Sequence, residues 1–217
     1  MKITKEAIEL AAKTIQPYIH RTPVLTNQSI NALTGIDFYF KCENFQKIGA
    51  FKIRGGMNAT LSLSPEQLKN GIATHSSGNH AQALAYAAKT LGIKAYIVMP
   101  SSSPQVKVDA VRGYGAEVII CEANQAAREA ALNKVVAQTG AAFIHPYDDY
   151  RVITGQATCV KELIEEITTL DAVITPVGGG GLLSGTCLGA AYFKPELKVY
   201  GAEPEGAADA VLSIQSG

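Results

Sequence analysis

No charge of one sign prevails in these 217 residues: Lys plus Arg and Asp plus Glu both number 19, so the formal charge is zero with His neutral. A nucleic-acid binder or a polybasic membrane-surface protein would carry a basic excess. There is no run of 18 or more apolar residues, which excludes a spanning helix. Behind Met1-Lys2-Ile3-Thr4-Lys5-Glu6 no apolar stretch of signal-peptide length follows. The expectation is a cytoplasmic protein with neither a nucleic-acid nor a membrane partner. Cysteine is sparse. Cys42, Cys121, Cys159 and Cys187 lie at least 28 residues apart, with no C-x-x-C and no His at zinc spacing, and read as small buried hydrophobes. His20, His75, His80 and His145 form no H-E-x-x-H. Repeats, low-complexity tracts and a Pro/Gly/Ser linker are also missing, so a second domain has to be woven into the first.

What is present is an ordinary globular composition, 47% apolar and 18% charged, long enough to bury a core. Short β-branched runs alternate with helical periodicity, which argues for an α/β protein with parallel sheet. Thr4 reads as an N-cap, with Ile8, Ala11, Ala12 and Ile15 on one helical face and Pro17 as the stop. A strand is expected over 37–42 and a helix over 52–63, and Ser64-Pro65-Glu66-Gln67 has the form of a capping box. Strand–helix units follow at 72–75 and 81–91, at 95–99 and 104–112, and at 117–121 and 125–139. A short strand near 142–144 and a helix over 154–167 lead to the strand 172–177, then a helix over 182–192 and a strand over 199–203. From Asp209 the pattern is that of the opening turns of a helix, so a further C-terminal segment is expected to be absent from this chain.

Three stretches carry chemistry. Gly178-Gly179-Gly180-Gly181 follows an apolar strand and opens a helix. Without Cβ atoms, successive N–H groups can converge on one anion, and the helix N-terminus adds its positive end. Leu183 and Ser184 stand where a dinucleotide fingerprint needs glycine, and Thr186 follows Gly185 where a P-loop needs lysine. The loop is therefore a phosphate cradle of another kind, or else a flexible turn. In Lys47-Ile48-Gly49-Ala50-Phe51-Lys52-Ile53-Arg54-Gly55, Lys52 falls at a helix start, where the dipole disfavours a cation. Either it is a surface base, or it is an amine kept neutral for carbonyl chemistry. His75-Ser76-Ser77-Gly78-Asn79-His80 joins a strand end to a helix start. It reads as an ordinary Ser/Asn cap or as a carboxylate site.

Taken in this order, FKIRG, SSGNH and GGGG resemble the fold-type II pyridoxal-phosphate enzymes of the serine racemase and threonine/serine dehydratase group, and the resemblance runs from Arg21-Thr22-Pro23 to Glu203-Pro204. It implies a tryptophan-synthase-β-like α/β fold of two open parallel-sheet domains. The larger would comprise 1–53 and 147–217, incomplete at its C-terminus, with a smaller domain, 54–146, inserted in it. It implies that Lys52 holds pyridoxal 5'-phosphate as an imine, that Phe51 lies against the ring and that Asn79 bonds its phenolic oxygen. Ser76, Ser77, Gly78, Asn79 and His80 would hold the substrate carboxylate, and Gly178 to Gly181 with Leu182 the phosphate. Glu203, Ala207 and Asp209 resemble a site for Mg²⁺ or Ca²⁺, which favours hard oxygens. Lys107 and Tyr114 fall where some relatives contact a nucleotide effector. A homodimer is implied as well. After His145-Pro146, where the group often has Asn, Phe or Tyr, this chain has Tyr147; it departs from the group in carrying Gly155-Gln156-Ala157-Thr158 for G-Q-G-T and in lacking a late Ser or Cys for the pyridine nitrogen.

The activity so implied is dehydration of a β-hydroxy amino acid such as serine, threonine or 3-hydroxyaspartate to a 2-oxo acid and ammonia. Lys52 would act as base on one face, and Ser77 on the other would give racemisation. Cysteine-synthase-like β-replacement and a non-catalytic fragment are the competing readings.

Overall fold

The structure, a computed structural model, describes residues 2–216. Helix α1 (Lys5–Ile15) starts where Thr4 Oγ1 accepts the Ala7 N–H, and it buries Ile8, Ala11 and Ile15. The expected strand over 37–42 is reduced to β2 (Phe40–Lys41), which pairs antiparallel with β1 (Val24–Leu25). Between them lies α2 (Gln28–Thr34), capped by Asn27 and ended by Gly35 at φ 69°. Sequence periodicity had not marked α2, because none of its residues is buried. Helix α3 (Lys52–Leu61) begins at Lys52. Helix α4 (Pro65–Lys69) carries the expected capping box, Ser64 with Gln67.

The central sheet contains β3 (Ile72–His75), β4 (Ala95–Pro100), β5 (Glu117–Cys121) and β6 (Ala142–Phe143), all parallel, in the order β5-β4-β3-β6. Helices α5 (Asn79–Leu91), α6 (Gln105–Gly113) and α7 (Gln125–Thr139) connect the strands. Leu84, Ile97, Met99 and Val111 form a core on one face of the sheet, and Ala73, Val98, Leu132 and Val135 form one on the other. Burial on both faces explains why β4 is apolar without alternation. The chain winds from β3 outward to β5 and then returns to the far side of β3 as β6. The C-terminal ends of β3 and β6 therefore flank a point where the strand order reverses, the usual place for a ligand in an open α/β sheet.

After β6 come α8 (Tyr150–Glu166), β7 (Ala172–Pro176), α9 (Gly181–Phe193), β8 (Lys198–Ala202) and α10 (Asp209–Ser216), with β7 parallel to β8. Helix α8 begins four residues before the expected Thr154, because the Asp149 carboxylate caps Arg151 N–H and chelates the Arg151 guanidinium. It packs against both α3 and α9 at positions that have no room for side chains. A Cβ on Gly155 would stand 2.7 Å from Gly55 Cα, and one on Gly185 would stand 2.7 Å from Ala157 N.

Because these contacts are to backbone, Gly155→Ala should push α3 off α8. The overpacking cost is about 1–3 kcal/mol, which lowers the melting temperature by several degrees in a chain of this size. Gly113→Ala, where a Cβ meets nothing within 4 Å, is the control and should leave the melt unmoved or raise it slightly. Equal melting temperatures for the two variants would refute the close-packing argument.

Candidate active site

Each of the three motifs sits at the N-terminus of a helix. Lys52 opens α3. Its amine is half-buried and donates a hydrogen bond to the Pro146 carbonyl at 2.9 Å. Burial pushes its pKa down to about 8. The Lys52 amine also stands 5.4 Å from the centroid of the Phe51 ring. Desolvation thus enlarges the neutral fraction of the Lys52 amine without making it fully neutral near pH 7.

Ser76-Ser77-Gly78 leaves β3 and turns into α5. Ser76 Oγ accepts the Gly78 N–H at 3.3 Å, and Asn79 is the exposed first residue of the helix. No side chain caps α5, so the first-turn amides remain free to receive an anion. His80 differs from its neighbours. Its imidazole is fully buried, with Nε2 3.3 Å from the Ile144 carbonyl and Nδ1 without a partner. Burial, then the nearby Lys52 charge, drives its pKa down to about 3, so it is neutral. Its ring faces the core, which leaves His80 only a backbone N–H to offer a carboxylate.

Gly178 to Gly180 leave β7 and Gly181 opens α9. Gly180 adopts φ 80° and caps the helix without a side chain. The first intrahelical bond runs from Ser184 N–H to the Gly180 carbonyl at 2.8 Å, so the amides ahead of it face outward. The Tyr147 ring lies over Gly179, where any Cβ would collide with it, and the Tyr147 Cβ lies beside Gly181. Leu182 follows in the first turn.

The three motifs are far apart in sequence, yet each touches the segment Ile144-His145-Pro146-Tyr147. His80 reaches residue 144, Lys52 reaches residue 146, and the glycine loop meets residue 147. Four residues span at most about 14 Å. The amine and the bare-amide cradle that an aldehyde-bearing phosphate needs thus meet adjacent residues of one segment, 146 and 147. The residues fit that group: a desolvated lysine with no carboxylate partner in its hydrogen bonding, and a helix N-terminus stripped of side chains.

Comparison with known proteins identifies the family. The profile of the pyridoxal-phosphate dependent enzyme family matches residues 15–217. The chain belongs to that family. Serine racemase of Dictyostelium discoideum is 52% identical over 215 residues, a match covering 99% of this chain and 66% of that protein. The crystal structure of that racemase superposes with a TM-score of 0.95 over 99% of this chain and 70% of its own. The beta-hydroxyaspartate dehydratase of Paracoccus denitrificans is 51% identical over 214 residues, covering 99% of this chain and 68% of the dehydratase. The chain spans about two thirds of the length of the curated relatives it matches.

Of the other candidates from the sequence, Lys107 alone borders the site: its amine stands 3.9 Å from where a Cβ on Gly78 would lie. Glu203 and Ala207 precede α10, and Asp209 is its first residue. The Glu203 carboxylate accepts the Ala210 N–H at 3.0 and 3.1 Å and the Val211 N–H at 3.2 Å, so it caps that helix. Among the described residues, no group of three or more His, Cys, Asp and Glu side chains is placed to hold a metal. Lys107 and Tyr114 stand at opposite ends of α6, about 10 Å apart along its axis. The Tyr114 ring is T-stacked on Tyr86.

Sequence reasoning did not assign Arg54, which is 0% exposed. It pairs with Glu43 through Nε and Nη2 and with Glu162 through Nη1 and Nη2, each at 2.8 Å. Lys41 adds a second cation to Glu162 at 2.8 Å. This network braces α3 two residues beyond Lys52. Its partners are 11 and 108 residues away in sequence, and no local pattern announces them. His145 and Tyr147 were noted only as part of a motif; their contacts are equally non-local.

Proposed function

We propose that this chain serves the dehydration of β-hydroxy amino acids to 2-oxo acids and ammonia, with pyridoxal 5'-phosphate as cofactor. The observation that carries the reading is the convergence of Lys52, the Ser76–His80 turn and the Gly178–Gly181 loop on one four-residue segment. Bound pyridoxal phosphate supplies an electron sink for the charge left at Cα when its proton departs. The chain's own residues do the rest. The glycine-loop amides, with Leu182, would hold the phosphate, and Phe51 and Asn79 would hold the ring. Ser76, Ser77 and the amides of Gly78, Asn79 and His80 hold the substrate carboxylate. The Lys52 amine, poised near neutrality by desolvation, takes the Cα proton. A base near pH 7–8 combines enough of its neutral form with enough basicity to be returned protonated.

The substrate class follows from chemistry shared by the relatives' names, serine and hydroxyaspartate, each with a hydroxyl one carbon from the acidic carbon. Ser77 on the opposite face gives the reading its racemase component. Ser77→Ala should cut racemisation about a hundredfold while elimination falls much less. The measurement compares serine inversion with pyruvate release on the same preparation, and equal losses would remove Ser77 from that role. Formation of 2-oxo acid from L-serine, L-threonine and 3-hydroxyaspartate tests the whole reading. Turnover that requires an external sulfur nucleophile would favour β-replacement instead.

The reading also includes two domains, 54–146 inserted between 1–53 and 147–217. Sheet membership supports it, since all four strands of the central sheet fall between Ile72 and Phe143. A cytoplasmic homodimer belongs to the same reading, and four free thiols suit a reducing compartment. A Mg²⁺ or Ca²⁺ ion at Glu203, Ala207 and Asp209 is supported by their hard-oxygen chemistry. It would compete with the α10 amides for Glu203 and takes no part in the steps above.

A further inference from the structure

One side chain that no step above uses holds the segment on which the motifs converge. His145 Nδ1 accepts two backbone hydrogen bonds, from Asp148 N–H at 2.8 Å and Tyr147 N–H at 3.3 Å. A ring nitrogen that accepts carries no proton, so these two donors fix the neutral tautomer with its proton on Nε2. The turn they close has two duties. Its Pro146 carbonyl receives the Lys52 amine, and its Tyr147 ring covers Gly179. The Tyr147 ring also meets the His145 ring edge to face, with centroids 4.6 Å apart and planes at 88°.

We propose that His145 is a positioning residue whose unprotonated Nδ1 pins the 146–148 turn and thereby sets the Lys52 amine and the glycine loop at one spacing. The consequence for the cofactor rests on the function proposed above; the pinning itself can be tested in the protein without cofactor.

The surroundings of the ring decide when the pin holds. Burial and the Lys52 charge favour the neutral ring, and Asp148 and Asp149 favour the charged one; the net pKa lies below the ordinary 6.5. His75, 6.0 Å away between ring centroids, and His80 are likewise shifted downward, mainly by burial. A depressed folded pKa means that the contribution is complete above pH 6.5 and is lost as acidification passes the folded value. Protonated Nδ1 would present N–H to N–H, and both bonds would break together.

Amide hydrogen exchange on the full chain, with no cofactor added, tests the idea in wild type, His145→Leu and His145→Asn. The Asn Oδ1 keeps an acceptor at the same place but does not titrate. At neutral pH, His145→Leu should lose about tenfold of the protection at Tyr147 and Asp148, and His145→Asn should keep it. On acidification below pH 6.5, wild type should lose protection at these two amides while His145→Asn does not. Amides of β3 and β4 report global stability and should stay protected throughout. The rate of Lys52 acylation in the same samples reads the amine directly, and it should change in His145→Leu only. Retained protection in His145→Leu, an equal loss in both variants, or a pH-independent wild type would each overturn the proposal. If His145→Leu fails to fold, the acid series of wild type against His145→Asn still decides. Failure of cofactor capture alone would leave these exchange results standing, so the two readings fail separately.

Discussion

Lys52→Ala should abolish the borohydride-reducible adduct with pyridoxal phosphate, and with it all 2-oxo acid formation. In wild type the reduced label should be found by mass spectrometry on the peptide containing Lys52. The argument is quantitative. An amine with pKa about 8 is roughly a quarter neutral at pH 7.5, whereas an ordinary lysine at 10.5 is about 0.1% neutral. Lys52 therefore carries about two hundred times more nucleophilic amine than its exposed competitors. Adduct yield should rise as pH passes about 8, not 10.5. Lys52→Arg, always charged, should behave like Lys52→Ala. A label on another lysine, at wild-type yield in Lys52→Ala, would sink the assignment.

The same shift has a stability cost. The folded pKa is below the unfolded value, so the full contribution of this group is present only above pH 10.5 and is lost as pH falls through about 8. At pH 7 the charged amine costs on the order of 3 kcal/mol, an upper figure because Lys52 is only part-buried. Lys52→Met should accordingly melt higher than wild type while being inert, the trade expected where function requires a strained group.

The second large effect concerns Arg54. Arg54→Met should lower stability by about 3–5 kcal/mol, or about 10 °C or more in melting temperature. The loss is not merely five hydrogen bonds, four to the carboxylates and one to Thr158 Oγ1. Removing the guanidinium leaves Glu43 and Glu162 facing each other across a buried gap, with Lys41 as the remaining cation. Adding Glu43→Gln to Arg54→Met should recover most of the loss, because Lys41 still pairs with Glu162 and no uncompensated charge remains. No recovery in the double variant would assign the loss to packing instead. Burial opposes ionisation of Glu162, yet Arg54 and Lys41 outweigh it and hold its carboxyl below the ordinary 4.5. That stabilisation is complete above pH 4.5 and is lost on acidification below it, so acid unfolding should begin there.

What the sequence makes legible is local. Thr4, the Ser64/Gln67 capping box, β3, β5 and α7 were readable because cap chemistry and periodicity act over a few residues. The motif residues were readable for the same reason, since a glycine run or a Ser-Ser-Gly-Asn turn declares its backbone chemistry in place. Helix α2 escaped because an exposed helix has no apolar stripe. The expected strand over 37–42 shrank because only Phe40 and Lys41 find a partner strand. The Lys52–Pro146 bond, the His80–Ile144 contact and the Arg54–Glu162 pair link residues 64 to 108 positions apart, a distance no local pattern covers.

Helix α8 touches α3 and α9 backbone to backbone, so the amine and the glycine loop hang from a common spine. On the reading proposed above, shifts of the four-stranded sheet would reshape the substrate side, while α8 and the 146–148 turn together hold the amine and the loop in place. A lineage could thus retune which amino acid it accepts by drift in one half of the molecule, with its grip on the coenzyme left untouched.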